Sequence, residues 1–187
     1  MAKLFSSWHL RRASEIISNG GVIAYPTEAV YGLGCDPWDP YAVSRILAIK
    51  NRSIDKGLIV IASDILQLET LIIFPDKKTE KKVTKSWPGP VTWILPASDQ
   101  CPFWLKGKHS GLAVRVTAHP LCRSLCEIAG PIVSTSANLS EKPPARSGWK
   151  AQMMFDEQLD YILRGSSSGD DRPTIIVDAI SGKQLRS

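Results

Sequence analysis

The chain reads as an α/β protein built on a mixed sheet. Short apolar runs alternate with segments of helical periodicity, as in Val22–Tyr25, Leu58–Ala62, Val91–Leu95 and Leu112–Val116. The connections Trp87-Pro88-Gly89-Pro90 and Lys106–Gly111 are too short for crossover helices, so some neighbouring strands must run antiparallel. Neither an internal repeat nor a domain boundary interrupts the pattern.

Residues 5–19 form the first expected helix. Ser6 or Ser7 caps it, Leu10, Ala13, Ile16 and Ile17 make its apolar stripe, and Asn19-Gly20 stops it. Gly20-Gly21 then turns into the strand Val22–Tyr25, which must end at Pro26 because proline has no N–H for a central ladder. Polar groups just past a strand end in an open α/β sheet commonly meet ligands, which presents Thr27, Glu28 and Tyr31 at a site. Asp39-Pro40 supplies a cap and a first-turn proline for a helix through Ile46 and Leu47. Lys50–Gly57 is a basic loop, followed by the buried strand Leu58–Ala62 and a short helix near Leu66–Leu71 capped by Ser63 or Asp64. Asp76–Lys85 carries five lysines. It is either a solvated helix face or a surface for RNA.

After the strand Val91–Leu95, residues 96–110 read as loop, and Gly111–Val116 is a strand with Arg115 in apolar company. His119-Pro120 opens a helix, with His119 as a structural cap. The short strand Pro131–Val133 runs into Ser134-Thr135-Ser136-Ala137-Asn138-Leu139-Ser140, a second polar strand end. A helix at 147–156, a flexible loop at 165–171 and a strand at Thr174–Asp178 complete the expected order.

At 187 residues the chain is long enough for one sizeable core. With 23 Lys and Arg against 18 Asp and Glu, the net charge is +5, which favours anionic ligands such as nucleotides or RNA without requiring them. No signal peptide or membrane-spanning run is legible, so a cytoplasmic protein with no membrane partner is expected. Cys35, Cys101, Cys122 and Cys126 form no CxxC pair and read as buried thiols, with no metal site.

The sequence lacks a GxxxxGK[ST] phosphate loop, GxGxxG, HExxH and GxSxG. What remains is a constellation. Lys50, Arg52 and Lys56 cluster ahead of a buried strand and could neutralise phosphates with help from strand-end hydroxyls. Arg115 must find a carboxylate, from the protein or from a ligand.

Five passages in order, Ala24–Asp36 (AYPTEAVYGLGCD), Lys50-x-Arg52-x-x-x-Lys56-Gly-Leu-Ile, Trp87–Thr92 (WPGPVT), Leu112-Ala-Val-Arg-Val-x-x-His-Pro120 and Val133–Ser140 (VSTSANLS), closely resemble the YrdC/Sua5 family in its short form. The resemblance spans roughly residues 20–145. It implies one YrdC-like domain over 1–187, with a twisted mixed parallel/antiparallel sheet flanked by helices around a concave basic cavity. It also implies synthesis of L-threonylcarbamoyladenylate and pyrophosphate from L-threonine, bicarbonate and ATP with Mg2+. The product would serve t6A modification at position 37 of ANN-decoding tRNAs, with the TsaD–TsaB–TsaE proteins as partners.

Carried over by resemblance, the signature KxR…SxN falls on Lys50, Arg52, Ser134 and Asn138 as catalytic residues. Lys50, Arg52, Lys56, Ser134, Ser136 and Asn138 are assigned to ATP. Thr27, Tyr31 and Arg115 are assigned to threonine, with Arg115 bidentate to its carboxylate. The C-terminal strand departs from the family pattern, leaving Arg146, Arg172 and Thr174 as candidates to close over ATP. Two other readings remain: an RNA-binding or ribosome-maturation factor without chemistry, and carbamoyl transfer as in the related domain of hydrogenase maturation proteins. The latter normally sits in a much longer chain with zinc-finger-like cysteines.

Overall fold

Nine strands form one sheet in the order β7-β1-β2-β6-β3-β5-β4-β8-β9 in a computed structural model that describes residues 7–139, 142–167 and 174–186. The strands are β1 (Ile23–Pro26), β2 (Tyr31–Gly34), β3 (Ile59–Ala62), β4 (Val91–Pro96), β5 (Gly111–Val116), β6 (Ile132–Ser136), β7 (Tyr161–Ile162), β8 (Ile175–Asp178) and β9 (Gln184–Arg186). The α-helices are α1 (Ser7–Ser18), α2 (Pro40–Ile49), α3 (Lys77–Lys85), α4 (Phe103–Lys106), α5 (Pro120–Ala129) and α6 (Gly148–Phe155). Parallel pairs (β3–β5, β4–β8, β1–β7) and antiparallel pairs (β1–β2, β2–β6, β3–β6, β4–β5, β8–β9) make the sheet mixed, as the short connections require.

Local chemistry sets the element ends. The Asp39 carboxylate accepts from Tyr41 N and Ala42 N, with Pro40 in the first turn of α2. Asp76 accepts from Thr79 N to start α3. The His119 ring accepts from Cys122 N at the start of α5, so this histidine is a cap. Gly20 turns the chain out of α1 with φ +79°, a conformation that favours glycine. The cap expected at Ser6 lies outside the described residues, and Ser7 is the first residue of α1. In α3 only Val83 is buried; its five lysines lie on the surface, one of them (Lys82) 5.0 Å from the Trp93 ring centroid.

Several elements differ from expectation. Tyr31–Gly34, to which the sequence assigned no element, is a strand. It pairs with β1 through a tight connection in which Thr27 N and Oγ1 both donate to Val30 O. The predicted loop 96–110 contains α4. The short strands β7 and β9 were too brief to show a period, and β6 continues into Ser134-Thr135-Ser136.

The two faces of the sheet have different fates. On one face Leu33, Val60, Trp93, Leu95, Val114 and Val133 join the larger core with residues of α2 and α6. On the other, Ile23, Tyr25, Ile61 and Ile132 pack beneath α1 and α5. Those two helices cover only one end of that face. The remainder carries the cross-sheet row Ser134–Ile59–Ala113–Ile94–Asp178, given by successive strand registers. All five residues line a cavity, so Ile59 is only half-buried where the sequence predicted a strand buried on both faces. All four cysteines are buried free thiols.

Gly34 is the tightest point of the β1–β2–β6 region. A Cβ there would stand 2.7 Å from the Tyr25 ring and 2.8 Å from the Val133 carbonyl oxygen. Gly34→Ala should therefore lower stability by about 1–3 kcal/mol. Urea denaturation should show an earlier midpoint at unchanged slope; an unchanged midpoint would mean that β1 and β6 are looser than described.

Candidate active site

The cavity measures about 1020 Å3. That is at the upper end of the range typical for small-molecule sites. Among the described residues its wall carries Lys50, Arg52, Lys56, Lys106, Arg115 and Arg146 against one carboxylate, Asp178. The described residues assigned by resemblance border it: Thr27, Tyr31, Lys50, Arg52, Lys56, Arg115, Ser134, Ser136 and Asn138, with Arg146 and Thr174; Glu28, expected beside them at the first strand end, does not line the wall. Arg172 lies outside the described residues. Two polar strand ends more than a hundred residues apart thus meet because β2 and β6 are neighbours, with Gly32 opposite Ser136.

Lys50 sits at the end of α2. Its ammonium donates to Ser136 O (2.7 Å), Asn138 O (2.9 Å) and Asn138 Oδ1 (2.8 Å). An ammonium has three protons, and all three are committed here. Lys50, which the resemblance assigns to the ATP phosphates, is therefore also a clamp on the second strand end. Burial, reinforced by Arg52, lowers its pKa from 10.5 to about 8. Asn138 is equally occupied. Its Oδ1 accepts from Lys50 and Ser136 Oγ, and its Nδ2 donates to Leu139 O and Lys142 O. The amide has no remaining hydrogen-bonding position, so it shapes the loop.

Arg52 Nη2 donates to Gly57 O (2.8 Å) and Lys56 O (3.3 Å), bracing the basic loop, while Nε is buried without a partner among the described residues. Burial lowers its pKa. The side chain of Lys56 is exposed at the cavity margin. The Thr27 hydroxyl donates to Val30 O. The Tyr31 hydroxyl donates to Gly165 O (2.8 Å) and accepts from Gly165 N (3.1 Å), fastening the segment after β7.

Arg115 resolves the open question about its carboxylate: the protein supplies one. Its Nη2 lies 3.1 Å from Glu28 Oε2, and both side chains are nearly fully buried. Thr117 Oγ1 donates to Glu28 Oε1 (2.6 Å) and accepts from His119 N (3.1 Å), tying the ion pair to the start of α5. The His119 pKa is lowered by burial, against the attraction of Glu28, and its Nε2 lies 3.2 Å from Ser166 O. Arg115 Nε is buried without a partner among the described residues, so the guanidinium keeps donors beyond the one Glu28 uses. Glu28 was visible as a strand-end polar group, but its partner, 87 positions away, had no local signal.

Comparison with known proteins follows this geometry. A family model for Sua5, YciO and YrdC, described as Telomere recombination, matches residues 15–187. The chain belongs to the Sua5/YciO/YrdC family. A threonylcarbamoyl-AMP synthase from Pseudomonas fluorescens is 48% identical over 184 residues, covering 98% of this chain and 99% of that protein. Sua5 of P. abyssi, solved in complex with L-threonine, is 34% identical with a TM-score of 0.86. It matches 92% of this chain, which spans about half (51%) of that Sua5. E. coli YciO is 26% identical with a TM-score of 0.83, covering 100% of this chain and 98% of that one. The family's fold, a mixed sheet flanked by helices, is the fold observed here.

The buried ion pair makes a direct prediction. Glu28→Ala strands Arg115 in a dry environment and should cost about 3–5 kcal/mol of stability. Glu28→Gln, which retains an acceptor for Thr117, should cost less. Chemical denaturation of both variants measures the difference; equal, near-zero effects would mean the pair is solvated.

Proposed function

We propose that the protein is a threonylcarbamoyl-AMP synthase, a nucleotidyltransferase that makes L-threonylcarbamoyladenylate and pyrophosphate from L-threonine, bicarbonate or CO2, and ATP. The observation that carries the reading is one cavity lined by Lys50, Arg52 and Ser134 from one pair of elements and by Thr27 and Arg115 from another. It occurs in a chain coextensive with a synthase of 48% identity.

The chemistry asks for this arrangement. Threonine's neutral amine adds to CO2 and loses a proton to solvent to give a carbamate, whose oxygen attacks the α-phosphorus of ATP as the bond to the bridging oxygen breaks and pyrophosphate leaves. Nucleophile, phosphate and leaving group are all anionic, so orientation and positive charge must supply most of the rate. No covalent enzyme intermediate is needed. Arg52, Lys56 and Lys50 bring cations toward the phosphates, and Ser134 and Ser136 bring hydroxyls. Thr27 and the spare donors of Arg115 face the amino acid. Lys50 and Asn138 hold the strand end in shape, and Tyr31 fastens its neighbour. ATP would bring Mg2+, whose charge would help offset that of the phosphates. Among the described residues no three His, Cys, Asp or Glu side chains gather as ligands, and Asp178 is committed to Ile180 N and Ser181.

In this reading the protein works in the cytoplasm, and its adenylate passes to TsaD–TsaB–TsaE for t6A37 formation on ANN-decoding tRNAs. No helix of the described residues is long and apolar enough to cross a membrane.

Pyrophosphate release by purified protein with MgATP should require both threonine and bicarbonate. Lys50→Ala and Arg52→Ala should each reduce it by at least about a hundredfold while the protein stays folded. Full activity in either variant would remove that residue from the mechanism. Absence of release from wild type, with salt-sensitive RNA binding, would instead favour a non-catalytic RNA-binding role.

Lys50 adds a pH signature. Its folded-state pKa, about 8, lies below the ordinary 10.5. The charged form therefore opposes folding below pH 8, and that cost is recovered as pH rises from about 8 to 10.5. Activity moves the other way. kcat/KM for ATP should fall above pH 8 as the ammonium is lost, approaching about tenfold per pH unit. Lys50→Arg should flatten that limb whatever its absolute rate, and a wild-type profile flat to pH 9.5 would contradict the assignment.

A further inference from the structure

Tyr25 on β1 and Ser134 on β6 are separated by an intervening strand, yet the Tyr25 hydroxyl donates to Ser134 Oγ at 2.8 Å. The reach exists because β2 presents no side chain between them. Gly32 is the register partner of Tyr25, and Gly34 follows two residues later on the same face. A Cβ at Gly34 would stand 2.7 Å from Cε1 of the Tyr25 ring, and one at Gly32 would stand 3.4 Å from its Cζ. The two glycines of Tyr31-Gly32-Leu33-Gly34 therefore form a trough that an aromatic ring crosses. This gives a physical role to a pattern too short to interpret from sequence.

Tyr25 is fully buried, and burial drives its pKa well above the ordinary value, so it remains a neutral phenol. A phenol is the more acidic of the two hydroxyls, and its lone pair is delocalised into the ring. It is the natural donor of the pair, leaving Ser134 as acceptor. Ser134 then keeps its own proton, for which no protein acceptor is in reach among the described residues. Ser134 also lines the cavity, and Lys50 clamps the carbonyl two residues further on.

We propose that Tyr25 is a positioning residue that occupies the acceptor side of Ser134 and turns the Ser134 proton into the cavity as a fixed donor to an anionic oxygen of the nucleotide. The proposal rests on the reading that ATP occupies this cavity. The specific addition is that a residue without access to solvent sets the polarity of one that meets the ligand.

A double-mutant cycle tests it. ATP binding with Mg2+ is measured by calorimetry for wild type, Tyr25→Phe, Ser134→Ala and the double variant, with a thermal melt of each. Tyr25→Phe keeps the ring in its trough, and ATP should bind about five- to tenfold more weakly, because a freely turning hydroxyl is a poorer donor. In the Ser134→Ala background the same change should add less than about twofold. Unaltered ATP affinity in folded Tyr25→Phe, or full additivity with Ser134→Ala, overturns the proposal.

If Tyr25→Phe does not fold, 3-fluorotyrosine placed at position 25 gives the reading in the intact protein. Its 19F resonance should shift on ATP addition in the Ser134 protein and not in Ser134→Ala. No shift, or the same shift in both, overturns the proposal. Pyrophosphate release separates this inference from the function it rests on. Weakened ATP binding in Tyr25→Phe, with no threonine-dependent release from wild type, sustains the positioning role and removes the synthase reading. Normal release and binding in Tyr25→Phe does the reverse. Failure of wild type to bind ATP removes both.

Discussion

Strand alternation along the row Ser134–Ile59–Ala113–Ile94–Asp178 decides which side chains can meet a ligand. Residues one step away on each strand, such as Val60, Val114 and Val133, point into the larger core. A one-residue slip in any strand would exchange the cavity floor with that core, so packing on the far face holds the site in register. α1 and α5 cover only one end of the near face. The cavity is what they leave uncovered, and the polar strand ends open onto its rim.

Charge is the second organising element. A cavity with six cations on its wall would repel itself unless some of that charge were engaged. The protein does this unevenly. Arg115 is paired with Glu28, Lys50 is spread over three oxygens of the second strand end, and Arg52 is braced against the carbonyls of its own loop. These contacts preorganise the cations; Arg115 meets a carboxylate, whereas Lys50 and Arg52 meet only neutral oxygens. Burial, and then the neighbouring Arg52, lowers the pKa of Lys50.

Much of the architecture was legible because local chemistry and period agreed. Asp39-Pro40 and His119 announced helix starts that the backbone adopts, and the apolar runs Leu58–Ala62, Val91–Leu95 and Leu112–Val116 became β3, β4 and β5. β2 was missed because half of Tyr31-Gly32-Leu33-Gly34 is glycine, a residue depleted in strands, when its glycines answer to a ring on the adjacent strand. Two- and three-residue strands such as β7 and β9 are too short to display a period. Among the site residues, cavity placement could be anticipated for those at strand ends. The internal commitments of Lys50, Asn138 and Tyr31 could not, since each acts through a partner 86 or more positions away.

The sequence by itself determined the α/β class, most element boundaries, the family resemblance and the residues that gather at the cavity, because these depend on local propensity and on ordered motifs. Only the tertiary structure decided the strand order, the carboxylate that Arg115 takes, the clamp made by Lys50 and the bridge from Tyr25 to Ser134. The reason is physical: a charged or polar side chain buried in a sheet must find its partner, and pairing across strands brings together residues whose separation along the chain carries no record of that contact.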